Sequence, residues 1–515
     1  EERNQATKKR GGRPRRGGRG SRGAARRAAR CPRGRHPRPD ADTPRDTRRV
    51  SVGVSVAIVG GGASGAIAAM HLMREARCPL HVTIFDPSGD PGPGLAHGRA
   101  APEHLLNVPA GRMGAFHDDP TDFLQWLRAH SQIPAWDDFL PRLTYGAYLR
   151  QRLTQTVRAA RPGVRLVVAP HAVESVRRAG DGFDVRPVGG PALHVDWLVL
   201  ATGNTAPAPL PGIDPALAAT GGYVPDPWAP GALAELGSRR RVLLVGTGLT
   251  MVDVALSLTA TGRRGVEIEA VSRHGLLPRS HRVGRQPPGM PTRPVPRTAT
   301  DLTRRVRAHV RATVQSGGDW RGGIDSLRAA TPDLWRALPV DERARLLRHA
   351  GRYWEVHRHR MAPELDRRLR ALARLGVLRI SRARVASASP DGDGGAVAVT
   401  LTPADADAAA RRTVDVVVNC TGPCGDIDRV CPPLLAQMRA EGMLRPDPLH
   451  LSIDTDSTGR VIGGDGARVP GLLAVGPLRR GEGWETTAIP EIRQHGHQVA
   501  VAILSDAADR ALAAA

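Results

Sequence analysis

Lysine is nearly missing from the 515 residues: only Lys8 and Lys9 occur. No lysine is therefore available for a phosphate-binding P-loop, a pyridoxal phosphate Schiff base or an amine nucleophile beyond those two. Arginine carries almost all the positive charge. Its planar fork pairs with carboxylates and phosphates but cannot act as a base near neutrality. Cysteine is scarce, at five residues: Cys31, Cys78, Cys420, Cys424 and Cys431. The number is odd, the spacing scattered, and no C-x-x-C occurs. That argues against a disulfide framework, a zinc finger or a dithiol reductase. Cys420 and Cys424 leave a redox pair open, with buried thiols at a strand end the simpler reading. No apolar run reaches about 18 residues, so no membrane span is expected. No hydrophobic segment precedes a cleavage site in the first 50 residues, and a cytoplasmic protein is expected.

The charge is uneven. Of the net +24, residues 1–50 supply 18 Lys+Arg against 5 Asp+Glu. This Arg/Gly/Pro-rich stretch has almost no apolar clusters and is expected to be disordered. Without interleaved aromatics it is at most a nonspecific nucleic-acid arm.

Within the rest, Val56-Ala57-Ile58-Val59 reads as a buried strand running into Gly60-Gly61-Gly62-Ala63-Ser64-Gly65 and a small-residue helix. Strand, G-x-G-x-x-G and helix together form a dinucleotide-binding turn. The first glycine allows the turn, the second admits a pyrophosphate, and the third lets helix and strand pack closely. A second strand ends in Asp86, where an acid can accept a hydrogen bond from a ribose hydroxyl. The chain then repeats this plan. Val242-Leu243-Leu244-Val245 leads into Gly246-Thr247-Gly248, a helix, and a strand ending at Ser272-Arg273. Each unit continues through a strand meander into an apolar strand that ends in Thr-Gly, at Thr202-Gly203 and Thr421-Gly422. A repeat of this completeness implies two dinucleotides held face to face, and the ordinary reason is hydride transfer between them.

The expected fold is α/β, with two Rossmann-type domains and a helical insertion. Residues 51–225 begin the first domain and 426–515 complete it. Residues 226–425 form the second, with the Arg-rich insertion at about 276–375. H-x-H occurs at His357/His359 and His495/His497. With no carboxylate cluster beside it in the sequence, no metal is expected.

VAIVGGGASG, GPGLAHGRAAPEHLLNVPAGRMGAF (92–116), VLLVGTGLTMVDVALSL, VSRHGLLPRSH, YWEVHRHRMAPE and WETTAIPEIRQ together resemble the two-dinucleotide-binding flavoproteins of the N-hydroxylating monooxygenase type. More narrowly, they resemble the bacterial group containing FAD-dependent urate hydroxylases and L-aspartate N-monooxygenases that make nitrosuccinate. The resemblance covers about residues 52–505. It implies FAD on Gly60, Gly62, Ala63, Ser64, Gly65, Asp86, Thr202 and Gly203, with Arg99, Asn107 and Val108 near the flavin ring. It implies NADPH on Gly246, Gly248, Thr250, Ser272 and Arg273, where Ser-Arg suits a 2′-phosphate. A helix N-terminus near Pro490 would face the flavin N1/O2 edge. The implied reaction passes through a C4a-hydroperoxyflavin with O2. His97 is the candidate proton relay, with Asn107 beside the chemistry. Arg282, Arg358, His359, Arg360 and Arg479 are candidates for clamping a small anionic substrate such as L-aspartate. A urate-type hydroxylase, and an NADPH-dependent flavin oxidoreductase that never oxygenates substrate, stay open. Two departures from the pattern stand out. Met251 fills the third glycine position of the second turn, and Gly476-Pro477 stands where Gly-Asp is expected.

Overall fold

The computed structural model describes residues 53–260, 265–282, 289–392, 395–405 and 408–513. The expected disordered tail at 1–50, and any nucleic-acid contact through it, lie outside these residues. All that follows concerns the unit Val52–Ala515.

Two sheets carry the architecture. The first has six strands in the order Arg460–Ile462, Arg468–Ala474, Trp197–Leu200, Val54–Val59, Leu80–Phe85, Val164–Ala169. Val54–Val59 pairs in parallel on both sides, with Val56 opposite Trp197 and Val82. Val56, Ala57 and Ile58 are fully buried, as a central parallel strand covered on both faces requires. The second sheet has seven strands: Ala410–Val414, Ala396–Pro403, Leu378–Asp391, Glu267–Ser272, Arg241–Val245, Val416–Asn419 and Tyr223–Val224. Its middle repeats the first. The strand before the glycine turn lies between the strand that ends in an acid or Ser-Arg and the strand that ends in Thr-Gly. A small antiparallel sheet (Val173–Ala179, Gly182–Pro187, Leu193–Val195) completes the first unit. The fold is thus the expected α/β pair of Rossmann-type sheets.

The repeat extends to close contacts. Gly60 has φ +105°, and a Cβ there would fall 2.4 Å from the carbonyl oxygen of Ala201. Gly246 has φ +115°, and its Cβ would fall 2.3 Å from that of Cys420. Each turn therefore crosses the end of its Thr-Gly strand at a distance that only glycine permits. Helix Ala63–Glu75 then packs between the sheet and the last helix, with Ala66, Ala68 and Ala69 all fully buried and Ala68 close to Gly496. Helix Ile489–Ala513 packs against it.

Between Glu267–Ser272 and Leu378–Asp391 stand the helices of the insertion: Ala299–Gln315, Trp320–Asp325, Thr331–Ala337, Val340–His349, Gly351–Arg358 and Pro363–Arg374. Several of them pack around a small core that includes Leu302, Leu327, Leu334, Trp335 and Leu346, closed from outside the insertion by Leu449, Leu451 and Trp484. Cys78, Cys420, Cys424 and Cys431 are all free thiols. Burial pushes the Cys420 thiol far above its ordinary pKa, so it supplies no thiolate.

Candidate functional site

The first glycine turn is fixed by Asp86. Its Oδ2 accepts the Gly61 N–H at 2.7 Å, and its Oδ1 accepts from Ser88 N and Oγ at 2.9 and 2.5 Å. Spare lone pairs remain for a sugar hydroxyl. Ala63 and Ser64 open the following helix, and a Cβ on Gly476 would lie 2.3 Å from Ser64 Oγ. Gly476, at φ +70°, so takes the backbone in close just before Pro477, the position where an acid was expected, and its N–H faces His495 Nδ1 at 3.4 Å. Thr202 is exposed, and Gly203 adopts φ +76° at the end of the neighbouring strand.

In the second turn, Thr247 Oγ1 donates to the Leu276 carbonyl at 2.6 Å. Its proton is thereby committed, so the 2.8 Å contact with Ser272 runs from the Ser272 hydroxyl to Thr247. Ser272 Oγ in turn accepts the Gly275 N–H at 3.0 Å. Ser272 thus ties the strand end to the turn, while Arg273 is exposed beside it and Thr250 is half-buried in the first helical turn.

Gly62 and Gly248 are informative because packing does not require them. A Cβ on Gly62 meets only Gly94 Cα, at 3.7 Å, and one on Gly248 meets nothing within 4 Å. Neither sits in the left-handed region. The open volume over both turns is what a pyrophosphate needs to reach backbone N–H groups, so the residues present fit two dinucleotides.

Between the units lies a polar pocket. Asn107, Val108, Pro109 and Arg112 come from the loop after the first βαβ, and Arg358, His359 and Arg360 from the insertion. Glu485, Thr487, Ala488 and Glu491 flank Pro490 at the start of the last long helix, and His281, Asp325 and Arg328 also line it. Three of its four arginines are paired. Arg358 meets Glu485 at 2.8 Å, Arg328 meets Glu491 at 2.5 and 2.6 Å, and Arg360 Nη2 donates to both oxygens of Asp325 at 2.6 Å. The fourth, Arg112, makes no hydrogen bond or ion pair with a described side chain. Burial lowers its pKa, with the nearby guanidiniums adding to the effect and Asp325 opposing it. Arg360 is 1% exposed, yet its Nε and Nη1 have no partner among the described residues. Unsatisfied guanidinium donors of this kind are costly unless an anion meets them.

Two histidines in the pocket are neutral. His281 Nε2 donates to the Asn107 carbonyl at 3.0 Å. Burial, helped by Arg360, lowers its pKa to about 3. Burial also lowers that of His359, against the pull of Glu485.

The structure brings together Asn107, Val108, Arg358, His359 and Arg360 from the sequence candidates, around the N-terminal turn holding Pro490. The others stand apart. Arg479 is 2% exposed and spent on Gln498 (2.9 Å), the Ser457 carbonyl (2.8 Å) and Glu482 (3.4 Å), so it braces the chain behind the site. Arg282 is exposed, 3.8 Å from Asp319. Arg99 is exposed on the loop. His97 is outside the pocket lining, its ring edge-on to Tyr145 at 4.9 Å, its buried Nδ1 without a hydrogen-bond partner of good geometry among the described residues and its pKa lowered to about 3 by burial. The H-x-H pairs diverge. His357 Nδ1 donates to the Tyr353 carbonyl while His359 lines the pocket. His495 faces Gly476, and His497 meets Glu75, a carboxylate that sequence spacing did not place beside it, at 3.1 Å.

Sequence reasoning missed Arg112, His281, Asp325, Arg328, Glu485 and Glu491. Four of these lie in stretches whose motifs were already distinctive: Arg112 in VPAGRMGAF, His281 in LLPRSH, and the two glutamates in WETTAIPEI. Asp325 and Arg328 carry no local signal.

Residues 57–205 match the FAD-NAD(P)-binding family. No curated protein sequence matches the chain. Several solved structures share its fold at low identity. The ornithine N-hydroxylase of Kutzneria sp. 744, with reduced FAD, NADP+ and L-ornithine, is 14% identical at a TM-score of 0.60, covering 88% of this chain and 99% of that one. The FAD-bound cadaverine monooxygenase of Erwinia amylovora is 15% identical at 0.59, covering 87% and 94%. The L-lysine 6-monooxygenase of Pseudomonas syringae is 16% identical at 0.55, covering 88% and 99%. The chain therefore has the fold of FAD- and NADP-binding flavoproteins.

Proposed function

We propose that the protein is an FAD- and NADPH-dependent monooxygenase that N-hydroxylates a small acidic amino acid such as L-aspartate. The flavin and NADPH assignments rest on the two open glycine turns, the first with Asp86 and the second with Ser272-Arg273. The bound pair supplies hydride transfer and O2 activation for attack by the substrate nitrogen.

One observation carries the choice of substrate. The pocket's three acids are already matched to three arginines, and Arg112 is left over in a pocket that also holds the buried, unspent donors of Arg360. Ornithine, lysine and cadaverine, the substrates in the names of the similar structures, end in cationic amines. A cationic end group would meet Arg112 with no free carboxylate to balance it. L-aspartate carries a net negative charge and two carboxylates, which matches the excess of guanidinium over carboxylate in the pocket. The neutral His281 and His359 add no charge. His281 spends its Nε2–H on Asn107, which fixes the loop carrying Val108 and Arg112 against the insertion. Burial of the pocket keeps water from the reacting nitrogen.

The test is turnover of the purified yellow protein with NADPH, O2 and either L-aspartate or L-ornithine. N-oxygenated product from aspartate and none from ornithine is the expected result. Product from ornithine alone would overturn the charge argument.

A further inference from the structure

The helical insertion holds a second cavity unlike the arginine pocket. Its volume is about 530 Å³, within the range of small-molecule sites. Leu302, Val306, Val310, Leu327, Leu334 and Leu346 form much of its apolar surface. One wall is a stack of three of the chain's eight tryptophans. Trp484 lies between Trp335 (ring centroids 5.0 Å apart, planes 23°) and Trp354 (5.2 Å, 22°). In a chain of only 3% aromatic residues this concentration is local.

Trp484 is held in the stack at a cost to the backbone. It has φ +56° and ψ −53°, and the Glu485 N–H reaches the Gly483 carbonyl at 2.6 Å. That is a γ-turn of the strained hand, which a bulky residue adopts only when its surroundings impose it. The turn aims Trp484 at the cavity and the next residue, Glu485, into the arginine pocket. Trp354 Nε1 donates to Glu485 Oε1 at 3.0 Å, so the two sites share one wall.

The mouth has a single sign of charge. Arg307 and Arg311 lie one turn apart on helix Ala299–Gln315, both exposed, and neither makes a side-chain hydrogen bond or ion pair with a described residue. His349 and His357 stand on another part of the rim. Among the described residues lining the cavity there is no Asp or Glu. An aromatic wall favours a ring over an aliphatic chain, and two guanidiniums at the rim favour an anionic group on that ring.

We infer that this cavity is a second ligand site, taking a small molecule built from a flat aromatic or heteroaromatic ring and an anionic group. The test uses 1-anilinonaphthalene-8-sulfonate and its uncharged counterpart N-phenyl-1-naphthylamine, titrated into the full chain and followed by probe fluorescence. The sulfonate is expected to bind at one site. Arg307→Glu/Arg311→Glu, confined to exposed side chains, should weaken it by about tenfold and leave the neutral probe unchanged. Val306→Trp, which puts an indole into the cavity, should weaken both, with near-ultraviolet circular dichroism showing that the fold persists. Equal affinity for the two probes, with no effect of the arginine changes, would overturn the anionic part. Sulfonate affinity unchanged by Val306→Trp would overturn the site. Light scattering provides a further check: if probe binding appears only as an oligomer dissociates, the groove is an interface between copies of the chain and the inference fails.

Discussion

In the proposed function, Arg112 sets the charge that the arginine pocket accepts. Losing one hydrogen-bonded charge partner costs about 1.5–3 kcal/mol, so Arg112→Ala should raise the KM for L-aspartate by about ten- to a hundredfold. Arg112→Lys should recover only part of this, because an ammonium lacks the planar fork. Steady-state NADPH oxidation with product analysis measures both, and an unchanged KM would remove Arg112 from the substrate's path. At the same scale, His97 and His281 titrate near about 3 in the native state. In the unfolded chain they titrate near about 6.5. The unfolded state therefore binds more protons across that window. Their neutral burial costs no stability above about pH 6.5, and stability falls as pH drops from there towards 3. Urea midpoints taken above and within this window should decline with acid, and the slope should flatten in His97→Gln/His281→Gln. A slope unchanged by the double substitution would mean that these histidines do not titrate as their burial implies.

At the scale of elements, the glycine turns separate cofactor from packing. A Cβ on Gly65 would lie 1.9 Å from the Gly60 carbonyl oxygen, so Gly65→Ala forces helix from strand and should cost about 1–3 kcal/mol or more. Gly248→Ala meets nothing within 4 Å. It should unfold within about 0.5 kcal/mol of the parent yet lose NADPH affinity, as read by anaerobic flavin reduction. Normal reduction in Gly248→Ala would argue that no pyrophosphate passes over that turn. These turns were legible in the sequence because their rules are local: an apolar strand, glycines at fixed offsets, a small-residue helix, and a second copy. The arginine pocket was only half legible. Its lining comes from residues 107–112, 281, 325–328, 358–360 and 485–491, brought together over hundreds of positions. In a chain so rich in arginine, nothing local tells Arg112, which lines the pocket, from Arg479, which braces the segments behind it.

At the scale of the whole molecule, the two Rossmann units are clamped through one buried acid. Asp253, on the helix of the second glycine turn, meets Arg142 of the first unit at 2.7 Å and is 3% exposed. Burial raises its pKa while Arg142 opposes the rise. His104 crosses the same seam, from Nε2 to Ser257 Oγ at 2.8 Å. Asp253→Ala strands Arg142 and should lower stability by about 3 kcal/mol, visible as an earlier thermal transition, whereas a surface pair such as Arg74–Asp118 should matter little. The clamp ties the helix of the second glycine turn to the first unit, on which the proposed function depends. The most direct measurement is the stoichiometry of NADPH consumed to N-oxygenated product formed from L-aspartate in air. The proposed function predicts tight one-to-one coupling in early turnover that is lost in Arg112→Ala. NADPH consumption that yields only hydrogen peroxide, whatever amino acid is supplied, would contradict it.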